Sequence, residues 1–439
     1  MNARVLALLL RPTPGQGAAL ALPAIAFALV TTLVLTVVGG AQKFWSWTDP
    51  DAGLYQALAA IALVLLVVPL ATLGGAAARL SARRRDERLS TLRLLGVSPA
   101  GVTGATVLES TGVAAAGSLV GVLGYLAVVP LIGLIPFRGE MLGAAAILLP
   151  PVSLLAVVGG VILLAGISAA VGLRQVVISP LGVRTRSAVP RVHWVRAVLA
   201  AVIIIGAFVF VQVFPGTAGL VVTIAVLAGM FALALAVLNL IGPWALKVHA
   251  TRGLRRAEMP ARLLSARLVL DSPKAAWRQV SGISMASFMA VFAGTGVALM
   301  NTVSASESAE NLTLAADIRT GLIITLVASF LIVAVSVGVN QAAGILDQRD
   351  LHRSLHFLGV PFGTVDAART RAIMSPLLFT ALGSAVCAAV LVFPLVGIAV
   401  VVAPLSLVTI AAVVALGIAL VWLGVRVTRP LLGKAFQPA

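Results

Sequence analysis

Residues 83–109 read RRRDERLSTLRLLGVSPAGVTGATVLE, and this charged segment lies between two long apolar runs at residues 55–79 and 105–129. Each run is long enough to cross the ~30 Å hydrocarbon core of a bilayer as a helix. The whole chain has 439 residues, of which 60% are hydrophobic and 10% are charged, and its mean hydropathy is +1.11. Soluble domains are about 45–50% apolar and about 25% charged. The composition therefore predicts an all-α, polytopic membrane protein.

Hydropathy predicts about ten transmembrane helices along the chain. They lie at residues 17–39, 55–79, 105–129, 143–173, 197–214, 218–243, 280–300, 321–345, 372–397 and 403–425. A short apolar segment with two arginines precedes the first of them, at residues 2–12. Because it is too short to span, we expect an amphipathic interfacial helix there.

Lysine and arginine residues are distributed very unevenly between the two sides of the predicted bundle. Of the 31 in the chain, all but Lys43, Arg138 and Arg319 fall in segments on the side of the N-terminus. The positive-inside rule places that side, with both termini, in the cytoplasm, which predicts a multi-pass protein of the plasma membrane. The net charge of +17 then indicates contact with anionic membrane lipids and no nucleic-acid partner.

Short sequence similarities indicate an internal repeat. Residues 261–264 (ARLL) resemble residues 3–6 (ARVL), and each precedes a span; residues 358–360 (LGV) repeat residues 95–97. We expect two parallel four-span halves, residues 1–175 and 251–439, joined by a central segment with two spans at residues 176–250. An even number of spans between the copies predicts a pseudo-twofold axis along the membrane normal.

Motifs for catalysis or cofactor binding are missing from the sequence. There is no Walker A motif, no H-E-x-x-H and no G-x-S-x-G, so we expect no catalytic residue, metal or cofactor on this chain. His352 and His356 could share a metal, but without accompanying ligands they are better interpreted as solvated or interface histidines. The spans also carry almost no ionisable residues, which disfavours an ion-driven secondary carrier.

Glycines recur at helical spacing in the third span, at Gly117, Gly121 and Gly124, and Gly383 lies in the ninth. Small residues let helices approach closely. These four are candidate helix-packing residues, in a seam that opens and closes or in ordinary bundle packing. The segment Phe44–Trp47 at the outer edge is either a lip for an amphipathic substrate or an interfacial anchor.

The charged segment itself predicts a helix that ends at Gly96, followed by a second helix that starts at Ser98-Pro99. Leucines recur among its charges at residues 89, 92, 94 and 95, which a purely solvated loop would not need. A protruding helix that binds a partner protein explains these leucines. The alternative is a juxtamembrane helix that lies on anionic lipid.

At these residues the sequence resembles the FtsX/MacB-type (type VII) ABC transporter permeases, in which such a segment couples the membrane helices to an ATPase. The matching residues of the first half are Arg84, Arg85, Glu87, Arg88, Leu92, Leu95, Gly96, Val97 and Ser98, and Glu109 opens the next span. The second half matches at Arg349, Asp350, Leu355, Leu358, Gly359 and Val360. It departs from the family pattern at His356, Pro361 and Ala372.

The resemblance implies a non-catalytic permease subunit with two FtsX-like repeats. It implies separate cytoplasmic ABC ATPase subunits, two per chain, which bind the ATP and Mg and drive export or extraction of an amphipathic peptide, lipid or drug. The chain is similar to the ten-span bacitracin-resistance-type permeases, an antimicrobial resistance system, but its predicted outer loops at residues 40–54 and 301–320 leave no room for their large extracellular domain. The alternative is a mechanotransmission scaffold that relays ATPase state to a cell-wall hydrolase or a sensor kinase.

Overall fold

The computed structural model describes residues 17–48, 99–177, 220–304 and 309–436, with residues 52–53, 55–56, 58–63, 66 and 73–74 between the first two ranges. These residues are almost entirely helical. In chain order the helices are α1 (Gly17–Trp45), α2 (Pro99–Gly133), α3 (Ala144–Ile147), α4 (Pro151–Val177), α5 (Leu220–Arg255), α6 (Pro260–Asp271), α7 (Pro273–Ser304), α8 (Ala309–Asp347), α9 (Arg349–Phe357), α10 (Phe362–Leu391), α11 (Phe393–Val402), α12 (Pro404–Val427) and α13 (Arg429–Phe436). A small hairpin of β1 (Pro136–Phe137) and β2 (Glu140–Met141) separates α2 from α3.

Among the described residues, 8 helices are long and apolar enough to cross a membrane: α1, α2, α4, α5, α7, α8, α10 and α12. They match eight of the predicted spans, which confirms an all-α chain of multi-pass membrane character. The predicted span at residues 197–214 lies outside the described residues, as does the interfacial helix at residues 2–12, and the span at residues 55–79 is described only in part. The number ten and the two repeats stay predictions.

Several helices run further than hydropathy predicted. Helix α5 continues through Pro243 as far as Arg255, although the predicted span ended at residue 243. The predicted outer loop at residues 301–320 is helical at both ends, since α7 extends to Ser304 and α8 begins at Ala309. Polar residues end the contact with lipid but do not break a helix. Conversely, the predicted ninth span is divided, because α10 ends at Leu391 and the short α11 starts at Phe393-Pro394.

The described residues form two compact units, one drawn from residues 1–187 with 335–349 and the other from residues 188–334 with 350–439. In the first unit α2 packs against both α1 and α4. The α1–α2 contact includes two hydroxyl hydrogen bonds: the Thr31 and Ser118 hydroxyls lie 3.0 Å apart, and Thr32 donates to the Gly121 carbonyl at 2.9 Å. Both buried hydroxyls of the first pair are thereby satisfied within the helix interface.

A buried tyrosine closes the loop that follows α2. The Tyr125 hydroxyl donates to the Ile147 carbonyl at 2.7 Å and accepts from the Leu149 amide at 3.0 Å. These two backbone groups lie at the break between α3 and α4, where helical hydrogen bonding stops. Gly39 of α1 packs directly on this arrangement, because a Cβ there would lie 2.5 Å from the Ile147 carbonyl oxygen. One phenol therefore fixes the junction among three helices.

Helix α7 is the centre of the second unit, and every residue from 281 to 290 in it is buried. It contacts α5, α10, α11 and α12. At the start of α7 the indole of Trp277 packs against Gly242 of α5, where no side chain would fit, and donates to the Asn239 side-chain oxygen at 2.8 Å. This tryptophan is thus a packing residue with a satisfied polar end rather than a free interfacial ring.

Candidate coupling and partner-docking site

The predicted coupling segment of the first half lies outside the described residues. This applies to Arg84, Arg85, Glu87, Arg88, Leu92, Leu95, Gly96, Val97 and Ser98. The segment of the second half is described, and it forms α9 and the turn that follows it. The geometry of the candidate site is therefore built from α9 and the first turns of α10.

Helix α9 ends in a Schellman motif centred on Gly359. The Gly359 amide donates to the His356 carbonyl at 2.9 Å, and the Val360 amide donates to the Leu355 carbonyl at 3.0 Å. Gly359 has φ +77°, a left-handed conformation that glycine adopts without steric cost. Pro361 then precedes the first residue of α10. Only residues 358–361 separate α9 from a helix that crosses the membrane.

Helix α9 and the residue after it expose large apolar side chains beside the polar Ser354 and His356. Leu351 is 53% exposed, Phe357 is 77% exposed and Leu358 is 78% exposed, whereas His352 on another side of the helix is 7% exposed. Leu355 is half-buried. A short polar helix gains nothing from presenting large apolar side chains to water, and such patches mark interaction sites. We refer to Leu351, Leu355, Phe357 and Leu358 as the α9 patch.

The structure places the predicted site residues of the second half in different settings. Leu355 and Leu358 belong to the α9 patch, Gly359 forms the turn, and Val360 is half-buried behind it. Arg349 and Asp350 are the first two residues of α9. Sequence matching missed Leu351 and Phe357. The spacing of residues 351, 355 and 358, which puts three leucines on one helix face, is the signal that could have found the first of them.

A partly buried charge cluster fixes the first turns of α10. The mostly buried Arg369 donates to the Thr428 hydroxyl at 2.7 Å and to Asp366 at 3.3 Å. Arg429 reaches the second oxygen of Asp366, with its Nε atom 3.2 Å away. These contacts tie the base of α10 to the junction of α12 and α13. Sequence analysis treated these cations only as positive-inside charges, since their partners lie far apart along the chain.

The candidate helix-packing glycines also separate into two groups. Added Cβ atoms would lie 2.5 Å from the Ala24 carbonyl at Gly117, 2.6 Å from the Ala28 carbonyl at Gly121 and 2.6 Å from the Thr32 hydroxyl at Gly124. All three thus line the α1 contact. Gly383 instead lies on the exposed side of α10, and a Cβ there would meet no atom within 4 Å. The residues that α10 buries at this level are Ala381, Ser384 and Ala388.

At the predicted outer edge, Trp47 is part of an aromatic cluster rather than a free lip. Its ring meets Phe44 and Tyr55 edge to face, with centroids 5.2 and 5.0 Å apart. The Arg138 guanidinium, on the β1–β2 hairpin, lies 4.1 Å from the Trp47 ring centroid and 4.5 Å from that of Tyr55. Trp45 is half-exposed beside the cluster. Cation–π contacts of this kind hold the hairpin over the end of α1.

The part of the chain that the structure describes contains no group of three or more His, Cys, Asp or Glu residues placed to hold a metal ion. The charged residues of its spans lie toward the helix ends, for example Lys247 and Arg252 in α5 or Lys274 and Arg278 in α7. Comparison of the chain with protein-family models and with curated proteins finds no match.

Proposed function

We propose that this chain is the membrane-spanning subunit of an ATP-driven ABC transporter of the FtsX/MacB type, and that the α9 patch docks a separate cytoplasmic ATPase. The observation that carries the proposal is the combination of the exposed apolar side chains of the α9 patch with a four-residue turn leading into α10. The positive-inside count puts this helix on the cytoplasmic side. An ATPase is the partner that the resemblance of residues 84–98 and 349–360 implies.

The connection from α9 to α10 suits transmission of force. Gly359 fixes the direction of the turn, and the Asp366 cluster ties α10 to α12 and α13 within two turns of its start. Beyond the cluster, α10 packs along α7, the most buried helix of its unit. A partner that moves α9 would therefore move a packed group of helices rather than a single one.

In this proposal the energy comes from the partner ATPase, and the substrate is an amphipathic peptide, lipid or drug exported or extracted from the membrane. The few ionisable groups in the described spans lie near their ends, which leaves no mid-membrane site for a coupling ion. We place the protein in the bacterial plasma membrane with both termini inside, where ATP is available to the partner.

The test is co-purification of the chain with a separate ABC ATPase subunit from the same source, using Phe357→Asp and the conservative control Phe357→Leu. A buried aromatic anchor is typically worth ~2 kcal/mol or more at an interface, so Phe357→Asp should weaken binding at least ~30-fold. Phe357→Leu keeps the apolar surface and should retain the partner. Unchanged binding of a Walker A-containing subunit by Phe357→Asp would refute the docking assignment.

A second measurement distinguishes a transporter from the alternative, a mechanotransmission scaffold. Substrate-stimulated, vanadate-sensitive ATP hydrolysis by the co-purified complex is expected for a transporter. A complex that hydrolyses ATP but holds a cell-wall hydrolase or a sensor kinase, with no transported substrate, would instead establish the mechanotransmission scaffold. Absence of any ATPase from the complex would contradict both.

A further inference from the structure

A cavity of about 490 Å³ lies where the end of α5, the helix α6 and the first half of α10 meet. Four arginines line it: Arg252 and Arg256 from the end of α5 and the turn after it, Arg262 from α6, and Arg371 from α10. All of these elements belong to the second unit. Neither the ATPase coupling proposed above nor the α9 patch uses these side chains.

The floor of the cavity is ordered by contacts between α5 and α10. His249 and Ser375 lie 2.9 Å apart from Nε2 to Oγ, and the imidazole stacks on Phe379 with a centroid distance of 4.3 Å. Ser265 and Val269 of α6 are buried against the same cavity. The lining therefore combines four arginines with apolar side chains and the hydroxyl groups of Ser265 and Ser375.

The four arginines lack carboxylate partners in the part of the chain that the structure describes. The ion pairs recorded there connect Asp366 with Arg369 and Arg429, which do not line the cavity. Four like charges around one small volume repel each other and produce a strongly positive potential. An anion between them would remove that repulsion, and the planar guanidinium group is suited to bidentate contacts with phosphate oxygens.

The position of α6 indicates where such an anion would come from. Helix α6 buries Ser265, Ala266 and Val269, which face α5 and α10, and leaves Leu263 and Leu268 exposed. Arg267 is exposed beside these leucines. A helix that exposes both leucine and arginine at the end of a span suits the headgroup region, where the leucines reach the acyl chains and the arginine stays among the headgroups. The positive-inside count assigns this side of the bundle to the cytoplasm.

We propose that the cavity binds the phosphate group of an anionic phospholipid in the cytoplasmic leaflet. The arginines hold the headgroup phosphate, while the acyl chains extend along the exposed Leu263 and Leu268 of α6. The volume falls within the ~300–1,000 Å³ of ordinary ligand sites. Basic pockets between transmembrane helices on the cytoplasmic side are known to suit anionic lipid headgroups. The lipid would join α5, α6 and α10 through one shared anion.

The experiment uses the purified full-length chain in nanodiscs of phosphatidylcholine, titrated with short-chain phosphatidylglycerol. Arg256→Gln/Arg262→Gln removes two cavity arginines, and Arg255→Gln/Arg267→Gln removes two exposed neighbours that do not line it. Both variants change the net charge equally. Each cavity arginine should contribute about five-fold to lipid affinity, so we expect about 25-fold weaker binding in the first variant and less than about two-fold in the second.

Three outcomes would overturn the proposal. Equal losses in the two variants would show only attraction to the charged surface. Saturation by inorganic phosphate at the same concentration as phosphatidylglycerol would assign the cavity to a soluble phosphate compound instead of a lipid. Equal affinity for short-chain phosphatidylcholine would remove the requirement for an anion. Thermal unfolding of both variants, measured without added lipid, verifies that the exposed substitutions leave the fold intact.

Discussion

Helix α2 of the first unit and helix α10 of the second bury equivalent positions when they are aligned on the predicted coupling glycines, Gly96 and Gly359. The buried pairs are Ser110 with Ile373, Ala114 with Leu377, Gly117 with Thr380, Ser118 with Ala381, Gly121 with Ser384, and Tyr125 with Ala388. Exposed positions coincide as well, as in Leu119 with Leu382. If α2 and α10 are copies of one ancestral helix, their buried positions should coincide in this way. The repeat itself stays a prediction.

The two helices differ in how they use those positions. In α2, Gly117 and Gly121 bring the backbone of α1 into contact, and the hydroxyls of Thr31 and Ser118 connect the two helices. In α10 the hydroxyls bond to their own helix, Thr380 to the Leu377 carbonyl and Ser384 to the Thr380 carbonyl. The first pair is joined by polar contacts that specify one register, whereas side-chain packing alone holds the equivalent level of the second.

The largest effect should come from Gly121→Leu. Its side chain would enter the space of the Ala28 carbonyl and the Thr31 side chain, so the α1–α2 pair must separate, at a cost of about 3 kcal/mol or more. Gly383→Leu, at an exposed position in the interior of α10, should be neutral or stabilising by up to ~1 kcal/mol, since leucine is the better helix former. The yield of monodisperse protein and the thermal unfolding midpoint in detergent measure both. Comparable losses of stability in the two variants would contradict the conclusion that only α2 uses its glycine for a close helix contact.

An intermediate effect is expected at Gly359. Alanine there must adopt φ +77°, which costs ~1–2 kcal/mol and should loosen the turn that orients the α9 patch. Gly363→Ala, at the second residue of α10 where an added Cβ meets nothing within 4 Å, should stabilise slightly, by less than ~1 kcal/mol. Thermal unfolding gives the sign of each change. If the first half contains the same glycine turn, Gly96→Ala should destabilise the protein by about as much as Gly359→Ala.

The smallest effect concerns the hydroxyl contacts. Thr31→Val keeps the side-chain shape but removes the bond to Ser118, and hydrogen bonds between membrane helices are worth ~0.6 kcal/mol on average. A double-mutant cycle with Ser118→Ala isolates that coupling energy. Ser384→Ala and Thr380→Val, in the equivalent cycle of α10, should show a smaller one, since neither hydroxyl reaches another helix. Equal coupling energies in the two cycles would contradict the conclusion that hydroxyl contacts connect α2, but not α10, to a neighbouring helix.

The existence of the long helices could be predicted from the sequence because apolar runs of sufficient length have few alternatives in a membrane. The same reasoning located Gly117, Gly121 and Gly124 in a helix contact. For Gly383 it predicted a packing role without a register, since the spacing of glycines alone does not indicate which face of α10 is buried. The alignment on Gly96 and Gly359 pairs Gly383 with Val120, and both are exposed.

Contacts between distant parts of the chain could not be predicted. The Asp366 cluster depends on where α12 ends relative to α10, and the arginine-lined cavity depends on how α6 lies across two other helices. Hydropathy reports the depth of a residue in lipid, not its neighbours. It also cannot indicate that α5 continues beyond Pro243, because a proline ends a helix only where the lost hydrogen bond is not replaced.

Helix α10 includes the buried Pro376 near its middle. The proline ring removes the amide that would bond to the carbonyl of residue 372, so the helix has a natural bending point there. With 1.5 Å of rise per residue, this joint divides α10 into two arms of about 22 Å each. Under the proposed function, a push on α9 would swing the cytoplasmic arm, with the Asp366 cluster at its base, while the outer arm stays packed on α7. The bend at Pro376, rather than the tilt of a rigid rod, would then set how much of the ATPase stroke reaches the outer leaflet.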